Sequence, residues 1–209
     1  SYVLQVLNSL MMISNVFMMF TRSLTSWKRI TEVMDEKIDI TEERSKDIFV
    51  EKGEIDFDHV YFKYSKDAQE YVLSDITLHM KAGQTIGIIG RTGAAKSTLV
   101  QLIPRLYDVT EGEIRIDGHP VQEYPLRHLR DAIAMVLQKN TLFSGTVRDN
   151  LRWGKEDATE EEIEEACRTA CVDEFIERLE NGYDTDLGQG GVNVSGGQKQ
   201  RLCIARALL

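Results

Sequence analysis

The chain begins with an apolar stretch whose polar positions are grouped on one side. Residues 1–21 carry no charge and are rich in Leu, Val, Met and Phe. As a helix they span about 30 Å, the thickness of a bilayer core. This pattern predicts a membrane helix with one polar face toward a cavity or neighbouring helices. At about 100° per residue, that face holds Ser1, Gln5, Asn8, Ser9 and Asn15, whereas Ser14 lies elsewhere.

The residues after this stretch are typical of a cytoplasmic membrane boundary. Arg22, Lys28 and Arg29 follow it, with Trp27 among them. Two alternatives stay open. A signal peptide would need a basic start and a small-residue cleavage site, and neither is visible. A buried helix of a soluble protein can also be uncharged and rich in Met. Because the sequence begins inside this helix without an initiator Met, we expect it to be part of a longer chain.

The hydrophobic pattern divides the chain into three parts. Residues 1–36 are predicted to form the membrane helix and its cytoplasmic extension, residues 37–53 a charged linker, and residues 54–209 a globular domain. Apolar, β-branched runs in this domain predict strands, and longer amphipathic runs predict helices, so the fold class is α/β. Strands are expected at 76–80, 84–89 and 112–118 and in a run that ends at 138, and helices at 96–107, 159–171, 172–179 and 198–209. Thr159 and Glu162 form a capping box at the start of the second of these helices.

A glycine-containing turn joins the predicted strand at 84–89 to the helix that follows. Residues 90–98 read Gly-Arg-Thr-Gly-Ala-Ala-Lys-Ser-Thr. A strand, such a turn and a helix N-terminus together bind anions through backbone N–H groups and the helix dipole. In that geometry Lys96 reaches the β- and γ-phosphates of a nucleotide, and the Ser97 hydroxyl ligates Mg²⁺. The alternative is a turn that binds no ligand.

Ala95 departs from the usual phosphate-loop pattern, which has Gly before the lysine. A methyl group is a minor obstacle if the backbone there has a negative φ, and a real one if φ is positive. The sequence leaves both conformations open.

A second glycine-rich stretch precedes the last predicted helix. Residues 194–201 read Val-Ser-Gly-Gly-Gln-Lys-Gln-Arg. A turn with few side chains, followed by a helix N-terminus with a hydroxyl group, is again suited to phosphate. Taken alone, the same residues also fit a simple linker.

The combination of a phosphate loop with a later Ser-Gly-Gly-Gln resembles one superfamily, the ABC ATPases, and within it the ABC exporters. The resemblance covers about residues 54–209. It implies a P-loop NTPase core with an antiparallel β subdomain and a helical subdomain, preceded by the end of a transmembrane α-helix. It also implies ATP and Mg²⁺ as ligands. The residues that it assigns to nucleotide binding are Tyr64, Gly90, Arg91, Thr92, Gly93, Ala94, Ala95, Lys96, Ser97, Thr98, Gln138, Ser195, Gly196, Gly197 and Gln198.

The resemblance gives four of these residues distinct roles. An aromatic at the position of Tyr64 stacks on adenine, and Tyr61 is the weaker candidate for this role. The glutamine at the position of Gln138 senses Mg²⁺ and the attacking water, so Lys96 and Gln138 are the expected catalytic residues, and Ser97 and Gln138 the expected Mg²⁺ contacts. Leu137 replaces the proline that often precedes this glutamine, and Gln189 stands where a glutamate is frequent.

The resemblance further implies how the parent protein works. The signature residues 195–198 would act in trans on ATP held by a second half-transporter subunit, either identical or different. The parent would couple ATP hydrolysis to export of a small molecule, drug or lipid across the cell membrane, with this domain on the cytoplasmic side. In the family, the Walker B aspartate, its neighbouring glutamate and the switch histidine follow the signature helix. We therefore expect the chain as given, which ends at Leu209, to lack them and to be inactive.

The composition argues against some other classes of function. A net charge of −9 argues against nucleic acid as a partner. The three cysteines have no metal spacing and are typical of reduced thiols, and the four histidines are dispersed. Two alternatives remain. A soluble ABC ATPase would not need the uncharged N-terminal helix, and a nucleotide-binding regulatory domain would hold ATP in a degenerate site.

Overall fold

The computed structural model describes residues 2–209 and divides into two compact units between Glu43 and Arg44. The predicted place of Ser1 on the polar helix face lies outside the described residues.

The first unit contains one long helix, α1, which spans Tyr2–Met34. It is long and apolar enough to cross a membrane, as judged by length and composition. Six of its hydroxyl side chains bond to the helix itself, which satisfies them without water. Each donates to the carbonyl four residues earlier: Ser9, Ser14, Thr21, Ser23, Thr25 and Thr31. The helix continues well beyond the uncharged stretch.

The second unit contains a four-stranded antiparallel sheet in the order β2-β1-β3-β4. Its strands are β1 (Ile55–Phe62), β2 (Leu73–Met80), β3 (Glu111–Ile116) and β4 (His119–Pro120). Phe57 of β1 lies opposite Leu78 of β2 and Ile114 of β3. Alternate residues of β3, Ile114 and Ile116, are buried together with Phe57, so one face of the sheet forms a core. The predicted strands at 76–80 and 112–118 are therefore present, with somewhat different bounds.

Two short helices pack on the buried face of this sheet. They are α2 (Lys96–Leu102) and α3 (Leu126–Asp131), and each contributes one fully buried leucine, Leu102 and Leu129, to the core. The predicted helix over 96–107 is wrong in length. It stops at Leu102 because Pro104 cannot donate a helical hydrogen bond and Arg105 has a left-handed φ of 51°.

The remaining helices form a second core. They are α4 (Val147–Arg152), α5 (Glu160–Thr169), α6 (Asp173–Ile176) and α7 (Gly196–Leu208). Their apolar faces meet in one buried cluster that includes Leu151, Ile163 and Leu202. The predicted helices at 159–171 and 172–179 correspond to α5 and α6. The capping box of Thr159 and Glu162 is confirmed.

Two predicted strands do not form. Residues 84–89 and the run that ends at Gln138 are irregular, and Ile89 is 99% exposed. Both segments have the apolar, β-branched composition of buried strands. A strand nevertheless forms only beside a second strand whose backbone C=O and N–H groups pair with its own. Among residues 2–209 no strand pairs with either segment.

The carboxylate of Asp117 binds the backbone of the segment that leads into β1. Asp117, in the turn between β3 and β4, accepts backbone N–H groups from Glu51, Lys52 and Glu54 at 2.8, 2.9 and 2.9 Å. Burial tends to raise the pKa of Asp117, but hydrogen bonds from these N–H groups and from Gly53 outweigh it and lower that pKa.

Candidate functional site

The phosphate loop is an open turn that leads directly into α2. The backbone N–H of Ala94 donates to the Arg91 carbonyl at 3.1 Å, and Gly93 has a φ of 84°. Residues 90–94 are exposed. N–H groups at the start of a helix that face solvent can receive anionic oxygens. The local geometry is therefore compatible with phosphate binding although the preceding strand is not formed.

Ala95 adopts the conformation that the sequence left open. Its φ is 55° and its ψ is 22°, in the left-handed region, and it is the N-cap residue of α2 with no side-chain cap. A Cβ atom in this region is crowded by the backbone at a cost of about 1–2 kcal/mol. The methyl group of Ala95 is thus a source of strain at the point where the loop enters the helix.

Lys96 folds back over the loop. Its Nζ donates to the carbonyl oxygens of Gly90 at 2.8 Å and Arg91 at 2.9 Å. A Cβ atom on Gly90 would lie 3.6 Å from Cδ of Lys96 and 3.2 Å from Cβ of Ala94. The tighter of these contacts is with Ala94, so the glycine allows the loop to approach itself closely at this point. An ammonium group held inside a cradle of exposed backbone fits a polyphosphate, and the exposed Ser97 hydroxyl adjoins it on the first turn of α2.

Tyr64 forms a hydrogen bond with α2, the helix that follows this loop. Its hydroxyl group is 2.8 Å from Oγ1 of Thr98, a buried residue of α2. The Tyr64 side chain remains largely exposed, so its ring is accessible. The alternative aromatic, Tyr61, instead packs against Tyr71 with ring centroids 5.2 Å apart. Of the two, the geometry favours Tyr64 as the aromatic beside the phosphate loop.

Gln138 is exposed and lies in irregular chain, and its side chain has no hydrogen-bond partner among residues 2–209. A cavity of about 580 Å³ is lined by its neighbours Leu137 and Lys139, together with Cys203 and Arg206, but not by Gln138 itself. The structure places Gln138 on neither the phosphate loop nor α7. Its role as a Mg²⁺ contact therefore stays a prediction.

The signature residues form a helix cap. Ser195 Oγ accepts from the Gln198 N–H at 3.3 Å, and Gln198 Oε1 accepts from the Ser195 N–H at 2.8 Å. The prediction that Ser-Gly-Gly is a turn before a helix at 198 is wrong, because Gly196 and Gly197 already form the first turn of α7. The Ser-x-x-Gln spacing of a capping box was the signal for this earlier start. Lys199 Nζ also donates to the Gly190 carbonyl at 2.9 Å and fixes the preceding loop.

The site residues therefore fall into two groups. The structure brings together the phosphate loop, α2 and Tyr64. It joins Ser195 and Gln198 to each other, but no hydrogen bond or ion pair within the described residues links them, or Gln138, to Lys96. Sequence reasoning missed Tyr107, whose ring packs against Tyr64 at a centroid distance of 5.2 Å. No local motif marks this residue, since its contact depends on where the chain turns after α2.

This chain is similar to known proteins in sequence and in fold. A model of the family described as "ABC transporter" matches residues 73–209. The uncharacterized ABC transporter ATP-binding protein YfiB of Bacillus subtilis (strain 168) is 46% identical over 209 residues, which are 100% of this chain and 36% of that protein. A putative multidrug export ATP-binding/permease protein of Staphylococcus aureus (strain NCTC 8325 / PS 47) is 45% identical over 181 residues, 86% of this chain and 31% of that protein.

A solved structure is also similar to this chain. The structure of a bacterial Atm1-family ABC exporter with ATP bound superposes with a TM-score of 0.82 and 34% sequence identity, over 90% of this chain and 33% of that one. The chain thus spans about a third of the length of the relatives that it matches. The family match covers most of the chain and includes both the phosphate loop and the capped signature helix, so this chain belongs to the ABC transporter family.

Proposed function

We propose that the chain is the nucleotide-binding part of an ABC exporter half-transporter that couples ATP binding and hydrolysis to export of a small molecule, drug or lipid. The observation that carries this proposal is the Lys96 amine held at 2.8 and 2.9 Å from the loop carbonyls at the start of α2. The names of the two bacterial relatives and the likeness to an ABC exporter with ATP bound support it.

ATP and Mg²⁺ would be held by the phosphate loop, α2 and Tyr64. Lys96 and the backbone N–H groups of residues 90–95 would bind the phosphates, Ser97 the metal ion, and Tyr64 the base. Mg²⁺, when bound, supplies positive charge to the phosphate oxygens. Gln138 would contact the ion and the attacking water from its own segment, and its exposed position leaves the side chain free to approach.

The signature helix would complete a site in a second subunit, identical or different. Ser195 and the first turn of α7 present a hydroxyl and helix N–H groups to solvent. Hydrolysis would further need carboxylates that position Mg²⁺ and polarise water. We expect no phosphate release from the 209-residue chain, and ATPase activity from the full-length transporter with its partner subunit.

α1 would be the end of the last transmembrane helix, with the second unit on the cytoplasmic side of the cell membrane. Its uncharged stretch and its internally bonded hydroxyls support this placement. A peptide covering α1 should partition into neutral lipid vesicles and be helical there by circular dichroism. A peptide that stays in the aqueous phase would favour a soluble ABC ATPase instead.

The nucleotide proposal is tested by titrating the full chain with Mg-ATP. Lys96→Ala removes a charge-assisted contact worth about 1.5–3 kcal/mol, which is roughly a 10- to 150-fold loss of affinity. Lys81→Ala removes the same charge from an exposed turn and serves as the control. Equal affinities in the Lys96 variant and the parent would overturn the assignment of the phosphate loop.

A further inference from the structure

The ring of Tyr64 is held by residues beyond its own strand. Its hydroxyl is 2.8 Å from Thr98 Oγ1, and its ring meets those of Tyr107 at 5.2 Å and Phe62 at 4.9 Å, with interplanar angles of 87° and 81°. Thr98 is 6% exposed, whereas Tyr64 is 55% exposed. Perpendicular ring contacts are a favourable arrangement for aromatic pairs. The ring is therefore restrained on one side and open on the other.

Tyr107 is supported by a turn that is itself firmly held. Arg105, with its left-handed φ and 3% exposure, makes a two-pronged ion pair with Asp108, at 2.7 Å for Nε–Oδ1 and 3.1 Å for Nη2–Oδ2. Arg130 of α3 donates to the carbonyls of Pro104 at 3.2 Å and Arg105 at 2.9 Å. Strained backbone persists only where its surroundings over-determine it, often beside ligand sites. The position of Tyr107 is thus set by contacts that involve neither Lys96 nor the phosphate loop.

We infer that Tyr107 is a positioning residue for the nucleotide base. Together with Thr98, it holds the Tyr64 ring in one orientation. The inference rests on the proposed function, because the platform matters only if a base stacks on Tyr64. An exposed tyrosine without these contacts would lose rotamer freedom on binding, which weakens affinity. A ring that is already fixed avoids this loss for any ligand that carries a base.

The contacts define which ligands should be affected. Tyr107 touches Tyr64 and Phe62 and makes no hydrogen bond to residues 90–96 within the described chain. Loss of its ring should therefore lower the affinity for Mg-ATP by about 3- to 10-fold. The affinity for inorganic tripolyphosphate, which has no base, should stay within about twofold of the parent value. If Tyr107 only stabilised the fold, loss of its ring would weaken the binding of both ligands.

The experiment is isothermal titration of the full chain with Mg-ATP and with Mg-tripolyphosphate. Tyr107→Ala removes the ring, Tyr107→Leu keeps apolar bulk without it, and Tyr107→Phe should restore ATP binding because only the ring is needed. Tyr64→Ala and the double variant Tyr64→Ala/Tyr107→Ala complete a double-mutant cycle. If Tyr107 acts through Tyr64, the double variant binds ATP no more weakly than Tyr64→Ala alone.

Three results would overturn the inference. They are unchanged ATP affinity in both Tyr107→Ala and Tyr107→Leu, an equal loss for tripolyphosphate, or fully additive losses in the double variant. Failure of the proposed function looks different: the parent chain would bind neither ligand in a way that depends on Lys96, and the inference would fall with it.

Discussion

Arg206 of α7 donates from Nε to the carbonyl oxygen of Asn150 at 2.9 Å and from Nη2 to the Oδ1 atom of the same residue at 3.1 Å. Asn150 is 1% exposed, and its amide also pairs with Phe143, accepting from N at 2.8 Å and donating to O at 2.9 Å. One buried side chain thus joins the segment after Gln138 to the helix that begins with the signature residues.

Replacing this amide should destabilise the helical core. Asn150→Ala removes the side-chain partners of the Phe143 backbone N–H and C=O and of Nη2 of Arg206, so the free energy of unfolding should fall by about 2–3 kcal/mol. Urea denaturation of the full chain measures the change. The exposed Asn181→Ala is the control and should stay within about 0.5 kcal/mol of the parent. A loss no larger than that of the control would show that the Asn150 network contributes little.

Relief of strain at Ala95 should be visible in both stability and binding. Ala95→Gly removes the methyl group from a left-handed residue, so the free energy of unfolding should rise by up to about 1 kcal/mol. Mg-ATP affinity should stay equal or become tighter. Ala94→Gly is the matched control, since Ala94 lacks a positive φ and its replacement should cost about 0.5–1 kcal/mol. A destabilised Ala95→Gly variant would mean that the loop does not keep this conformation.

Ser195 should affect dimerisation more than nucleotide affinity. Ser195→Arg places a long cation at the start of α7, where it should abolish ATP-dependent dimerisation of the full-length domain and leave the ATP affinity of the monomer intact. Analytical ultracentrifugation and titration measure the two quantities separately.

The same variant also removes a helix cap, at a cost of about 0.5–2 kcal/mol. Thr159→Ala removes the equivalent cap from α5 and controls for that loss. If Thr159→Ala prevents dimerisation as strongly, the effect of Ser195→Arg is one of stability. A loss of monomer affinity in Ser195→Arg would show that the signature acts in cis.

The Asp117 anchor should make stability depend on pH. Its pKa in the folded chain is lower than the unfolded value of 3.8, so its contribution is present above that value and is lost as the pH falls through the lower folded pKa. Asp117→Asn keeps the size of the side chain and suits the left-handed φ of 50°. It should lower the free energy of unfolding at about pH 6, and the difference from the parent should shrink toward about pH 3. A difference that does not change with pH would rule out the charge as its cause.

Local chemistry was readable from the sequence because it depends on neighbouring residues. The turn before Lys96 and the cap at Thr159 involve groups within four positions of one another, and the polar face of α1 follows from the helical repeat. Hydroxyl caps and helix periodicity act over that range. The family resemblance could therefore be stated from two short motifs.

The tertiary structure decided the features that join distant segments. Residues 84–89 have the composition of a strand, but strand formation depends on a hydrogen-bonded neighbour, which no composition supplies. The sign of φ at Ala95 depends on how the loop meets α2. The contacts of Tyr64 with Thr98 and Tyr107, and of Asn150 with Arg206, connect residues 34, 43 and 56 positions apart. Such pairs form only when the cores fold, because the free energy of packing, rather than local propensity, brings their backbones together.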